Sequence, residues 1–191
     1  MRKICFIDMD GVLADFVTGA CKAHNKPNPY LQETSKGIFE MDKLWGISAS
    51  AFWKPLAGSV FFRNLAVLPG AHNLVDYITD VFGLDNVGIL TSPSLDIHCV
   101  SAKRDWVSRH FPALTKSIIF TGAKGLLAGP GRFWVDDRDE NVQSFTVGGG
   151  VGVLYPALYN SAHSNIDACL PWVAAVRGLS EGLRKGDHGE E

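Results

Sequence analysis

Four aspartates stand in two tight groups in this chain, and each group directly follows an apolar run. Asp8 and Asp10 come after "KICFI", in the stretch "FIDMDGVLADF", and Asp136 and Asp137 come after "RFWV". Carboxylates a few ångströms apart repel, and the repulsion grows as water is excluded. Something positive has to offset it. Residues i and i+2 of a strand point to one side, so Asp8 and Asp10 can address a single bound group. One such carboxylate can attack phosphorus and form an aspartyl-phosphate. The other can protonate the leaving oxygen and later take the proton of the attacking water. Hard oxygen ligands of this kind suit Mg2+, which keeps water or substrate oxygens in its octahedron. Gly11 lets the chain leave the strand sharply.

Each group taken alone has a plainer explanation. D-x-D-G can be a polar turn, and Asp136-Asp137 can cap a helix starting near Glu140. Two acidic pairs behind two apolar strands favour the chemical reading. Thr91 and Ser92 end a third apolar run, "VGIL"; a hydroxyl and N–H groups there can hold phosphate oxygens, or simply cap the turn before Pro93. Lys103 adds a cation. On a helix read over 98–111, Val100, Trp106, Val107, His110 and Phe111 span an arc of about 140°, and Lys103 falls inside it. An inward lysine needs a partner or a route to water.

The elements that must position these groups alternate. Apolar runs at 3–7, 87–90, 117–121, 132–137 and 151–156 read as strands, and 71–83 and 98–111 as amphipathic helices. A further helix is expected over 166–179, broken or started near Pro171, and the polar tail from Ser180 onward is expected to fray. This predicts an α/β fold: a Rossmann-like three-layer core with a mostly parallel sheet, whose ligands gather beyond the carboxyl ends of the strands. Residues 17–69 interrupt the alternation and are rich in aromatics. They read as a small, mainly helical cap inserted after the first strand, which leaves 1–16 and 70–191 as the core.

With 191 residues, 46% hydrophobic, the chain is long enough to bury a full core. A net charge of −2 with scattered Lys and Arg gives no polybasic footprint for long nucleic acid or a membrane surface. The four cysteines stand far apart without a C-x-x-C pair, as expected of reduced thiols in a cytoplasmic protein. Six histidines form no H-x-x-x-H pair, which argues against zinc. No apolar run approaches the roughly 18 residues of a membrane helix, and "ICFI" is too short for a signal-peptide core.

D-x-D-G-V, then Thr91-Ser92, Lys103 and Asp136-Asp137, in that order, resemble the haloacid dehalogenase-like phosphohydrolases. The resemblance implies a hydrolase of phosphoric monoesters with Asp8 as nucleophile and Asp10 as general acid/base. It implies Mg2+ held by Asp8, the backbone carbonyl of Asp10 and one of the acidic pair, Asp137 ahead of Asp136. It also implies Thr91, Ser92 and Lys103 on the phosphoryl group. "DMDGVLADF", "FWKPLAGSVFFRNLAVLPGA", "LTSP", "KRDWVSRHF" and "VDDR" are similar to the 5'(3')-deoxyribonucleotidase branch, which removes phosphate from deoxyribonucleoside monophosphates. There the Phe that ends the first motif and a Trp of the cap help form the base pocket; they match Phe16 and Trp53, with Phe39 and Trp45 as further candidates. A small nucleoside monophosphate is then the expected partner, and a homodimer stays open. "AGPGRF", "VGGGVG" and much of the cap depart from the branch and leave base and sugar preference open. The alternatives are the same chemistry on another small phosphate ester, or a phospho-accepting or binding-only relative.

Overall fold

The computed structural model describes residues 2–166 and 169–187. In chain order its elements begin with β1 (Ile4–Ile7), α1 (Phe16–His24), α2 (Met41–Leu44), α3 (Ala49–Trp53), α4 (Val60–Arg63) and α5 (Ala71–Phe82). They continue with β2 (Val87–Thr91), α6 (Cys99–His110), β3 (Ile118–Phe120), β4 (Arg132–Asp136), α7 (Asp139–Val147), β5 (Val151–Leu154) and α8 (Pro171–Asp187). The strands form one sheet in the order β3-β2-β1-β4-β5, and every pairing is parallel. No antiparallel strand joins it among the described residues, so the sheet is more uniform than the mostly parallel one expected.

Continuous apolar runs make these strands because both faces of the sheet are covered. The register Cys5↔Phe133, Phe6↔Trp134, Ile7↔Val135 puts alternate side chains into two cores. Cys5, Ile7, Phe133 and Val135 meet Leu74 and Ile78 of α5, Trp106 and Val107 of α6, and Leu179 of α8. Phe6, Leu90 and Trp134 meet Phe145 of α7 on the opposite face. β1 is the central strand, with β2 on one side and β4 on the other. The chain first builds outward through β2 and β3, then crosses back to β4. The crevice between the carboxyl ends of β1 and β4 is therefore the switch point of the sheet, where such folds bind ligands.

Several expectations shift at their edges. α6 buries Cys99, Ala102, Lys103, Trp106 and Val107, whereas Val100 is 40% exposed. The small Cys99 and Ala102 allow close approach to the sheet and turn the inward face by about 40° from the wheel drawn on large side chains. α8 starts at Pro171, where a missing N–H is harmless. It then runs on to Asp187, so the stretch from Ser180 to Asp187 is helical rather than frayed. Its Ser180 and Tyr77 of α5 share a 2.8 Å hydroxyl contact. The last four residues of the expected tail lie outside the described ones. Residues 17–69 contain helices and 3₁₀ turns with no named strand; only isolated bridges, Asp10 to Ala14 and Ala14 to Val67, flank them. Cys5, Cys21 and Cys99 are buried, Cys169 is half-buried, and none is bonded to another. No described helix is long and apolar enough to cross a membrane.

Candidate active site

β1 ends by donating Asp8 N–H to the Val135 carbonyl at 2.9 Å, which pins the first aspartate beside β4. Asp8 Oδ1 accepts the Met9 N–H at 2.8 Å. Two residues on, Gly11 turns the chain with φ +79°. A Cβ there would stand 1.9 Å from Asp137 Oδ2, so the loop from β1 can press against the acidic pair from β4 only because this residue is glycine. One carboxylate oxygen from each of Asp8, Asp136 and Asp137 lies within 4.8 Å of the others, all three buried.

Two ammonium groups enter the cluster from opposite sides. Lys103 of α6, 1% exposed, donates to Asp10 Oδ2 at 2.5 Å, Thr91 Oγ1 at 2.8 Å and the Ser92 carbonyl at 2.7 Å. All three of its protons are used. Lys124 sits in a 3₁₀ turn after β3 and reaches Asp8 Oδ2 and Asp136 Oδ2, each at 2.9 Å. Its ammonium also lies 4.9 Å from the centre of the Trp134 ring. The two carboxylates hold its pKa above the ordinary lysine value against the opposing effect of burial.

Four carboxylates thus face two ammonium groups. Burial pushes the Asp8 carboxyl up to about 8, Lys124 pulling the other way and Asp136 and Asp10 pushing further. Burial and then Asp8 push Asp137 up to about 7. Burial raises Asp136 as well, against the pull of Lys124. Asp10 Oδ1 is buried with no hydrogen-bond partner. Once all four are ionised, the surplus of two negative charges, the all-oxygen donors and an orphaned carboxylate oxygen fit a divalent cation of the hard class.

The two members of the acidic pair differ. Asp136 accepts from Lys124 Nζ, the Arg138 N–H at 2.9 Å and Asn141 Nδ2 at 3.0 Å, and is fully buried off the cavity. Its oxygens serve the lysine and the start of α7. Asp137 lines the cavity instead, together with Asp8 and Asp10. That cavity, about 1060 Å³, runs from the carboxylates to the segment 16–62. Phe16, Phe39 and Trp53 line it, as do Ser92, Lys103 and Lys124. Phe16 opens α1 behind its Asp15 cap, and its ring meets those of Trp53 at 6.1 Å and Phe61 at 5.5 Å. Trp45 is not part of this wall. Its ring packs against His24 at 5.0 Å and Phe52 at 5.9 Å, and its Nε1 donates to the Pro27 carbonyl. Thr91 also stands behind the lining, meeting the site through Lys103.

A profile of the family described as "5' nucleotidase, deoxy (Pyrimidine), cytosolic type C protein" matches residues 2–175. The chain belongs to this family. It is accordingly a hydrolase of phosphoric monoesters, in the deoxyribonucleotidase branch of the haloacid dehalogenase-like superfamily. The chain is 32% identical over 146 residues to the human cytosolic 5'(3')-deoxyribonucleotidase, covering 70% of this chain and 69% of that one. It is 24% identical over 181 residues to the Bacillus subtilis 5'(3')-deoxyribonucleotidase, covering 94% and 99%. A haloacid dehalogenase-like hydrolase from Streptococcus pneumoniae shares the fold, with a TM-score of 0.52 at 10% identity over 86% of this chain and 90% of that one.

For this nucleotidase-family member, the residues that escaped sequence reasoning are Lys124 and Tyr159. Lys124 comes three residues after the β3 run "SIIFT", and that closeness to a strand end is the one signal the sequence carries for it. Tyr159 comes after β5 and donates its hydroxyl to Asp137 Oδ2. No spacing pattern signals it. Tyr30, Phe52 and Phe62 also line the cavity and read in sequence only as apolar packing.

Proposed function

We propose that this protein is a Mg2+-dependent phosphomonoesterase that removes phosphate from (deoxy)ribonucleoside monophosphates through an aspartyl-phosphate. The observation that carries the reading is the cavity itself: Asp8, Asp10 and Asp137 with two lysines at one end, Phe16, Phe39 and Trp53 along the wall. The names of the relatives support the substrate class.

In this reading an Asp8 oxygen attacks phosphorus while the bond from phosphorus to the nucleoside oxygen breaks, and Asp10 gives that oxygen its proton. The Asp10 carboxylate then takes a proton from water as the water attacks the aspartyl-phosphate; free phosphate leaves and Asp8 is regenerated. Lys103, with Ser92 and Thr91 beside it, fixes Asp10 and presents its charge to the phosphate oxygens. Lys124 orients Asp8. Bound between Asp8 and Asp137 with the Asp10 carbonyl, Mg2+ would offset the carboxylates' repulsion and withdraw charge from the phosphate. The core is 1–16 and 70–191, and 17–69 act as the cap whose aromatics stack on the base, worth ~1–3 kcal/mol. Asp136 serves as a support for Lys124 rather than as a direct ligand.

Phosphate release from a panel of nucleoside monophosphates and sugar phosphates, with and without Mg2+, tests the proposal. Nucleotides should be turned over in preference, and Asp8→Asn should lower release by a factor of at least about a thousand. Equal, slow release by both proteins would end the catalytic assignment. Preference for sugar phosphates would move the substrate to another small ester, and a stable acyl-phosphate would mark a phospho-accepting relative.

A further inference from the structure

We infer that Tyr159 is a positioning residue for Asp137: its hydroxyl fixes one carboxylate oxygen and thereby sets how tightly the acidic cluster holds a divalent cation. This rests on the cation reading above and adds to it a residue outside the four motif groups.

Three features of the chain converge on this hydrogen bond. The first is the backbone that carries it. Asn160, 1% exposed, donates through Nδ2 to the Asp137 carbonyl and to the Tyr155 carbonyl, each at 2.8 Å. Its Oδ1 accepts the N–H groups of Ala157 at 3.2 Å and Ala162 at 3.1 Å. The loop after β5 is thus closed around one amide and bolted to the same aspartate that Tyr159 addresses.

The second is the ring. Tyr159 is 8% exposed and packs against Tyr30 at 5.5 Å and edge-on against Phe39 at 5.8 Å, both from the helical segment. With backbone and ring both held, the hydroxyl has one place to be. The third is the space it occupies. A Cβ on Gly11 would stand 2.3 Å from the Tyr159 hydroxyl oxygen and 1.9 Å from Asp137 Oδ2. The glycine that lets β1 turn also makes room for this contact.

A carboxylate free to rotate about its last torsion presents either oxygen in many planes. Anchoring one oxygen fixes the plane and commits the other. Partners of this kind around metal ligands typically alter metal affinity by 10–100-fold.

Mn2+ titrated into nucleotide-free protein, with the free ion counted by electron paramagnetic resonance, tests the inference. Tyr159→Phe keeps the ring and removes only the hydroxyl, and its Kd for Mn2+ should rise about 10–100-fold. Tyr159→His, which keeps a ring with an N–H donor, should recover part of that loss. Tyr77→Phe, which gives up the hydroxyl contact to Ser180 far from the cluster, should bind as wild type. In phosphate release, Tyr159→Phe should need more Mg2+ to reach half-maximal rate while its rate at saturating Mg2+ stays close to wild type. A folded Tyr159→Phe protein with wild-type Mn2+ affinity overturns the inference and leaves the cation reading standing. Wild-type protein that binds no Mn2+ removes the cation reading, and the inference with it.

Discussion

Lys124 shows how much can depend on one side chain with no pattern around it. It is a single lysine in a 3₁₀ turn, 4% exposed, between two carboxylates from neighbouring strands. Replacing it by methionine would leave Asp8 and Asp136 buried against each other without a cation. Breaking a buried pair in this way typically costs about 3–5 kcal/mol. Lys124→Met is therefore expected to lower the urea unfolding midpoint by that equivalent in metal-free buffer and to lose phosphate release. Lys103, by contrast, is legible in the sequence. It falls on the inward arc of a long helix, where periodicity makes a misplaced charge visible. Lys124 belongs to a turn too short to have a period, so only its distance from a strand end could betray it. The same holds for Tyr159, whose relation to Asp137 spans 22 positions and no repeat. Asp8, Asp10 and Asp137 were readable because strand ends are marked by the apolar runs before them. Trp45 was misread for the opposite reason: aromatic character in a small helical segment does not distinguish a cavity wall from the packing behind it.

Among the elements, strands and long helices could be placed from hydrophobic runs and amphipathic spacing to within a few residues. α2, α3 and α4 have four or five residues each, about one turn, which is less than a hydrophobic period needs to declare itself. They exist through tertiary packing rather than propensity. α8 was the other partial miss, since its polar second half reads as a tail. Its inward side explains why it persists. Gly178 and Gly182 face β5 so closely that an added Cβ would come within 2.8 Å of Val153 Cγ1 and 2.6 Å of Val151 Cγ1. Gly178→Ala gains helix propensity of about 1 kcal/mol, yet overpacking of this kind costs about 1–3 kcal/mol. The variant should melt at a lower temperature than wild type while keeping its activity at 25 °C, since the contact lies away from the cavity.

At the level of the whole molecule, the fold gathers like charges and water-poor surroundings at one crevice, and this links stability to pH. Asp8 is raised from 3.8 to about 8 and Asp137 from 3.8 to about 7, burial being the leading cause for both. Between the unfolded and folded values the native state binds more protons than the unfolded one, so stability falls as pH rises. The contribution is intact below about pH 4 and lost by about pH 8. Thermal midpoints recorded in chelator across this window should decline, and the gain from added Mg2+ should grow as the carboxylates ionise. An equal Mg2+ gain at every pH would contradict this assignment of the protons. The crevice was legible as a place, because alternating strands and helices imply a parallel sheet with ligands at its carboxyl edge. Which aromatics face it was not, since that depends on how one-turn helices pack.

Because the first aspartate follows directly on the innermost strand, which has two strands on either side, and bonds its amide to Val135 of β4, that amide is expected to exchange among the slowest in the chain. The rim of the cavity at Gly58 is tied to the loop after β2 by a 3.1 Å bond from its N–H to Asp96 Oδ2, and Arg63 behind it pairs with Asp105 of α6. The Gly58 amide is therefore expected to exchange before that of the central strand, an order that hydrogen exchange would read.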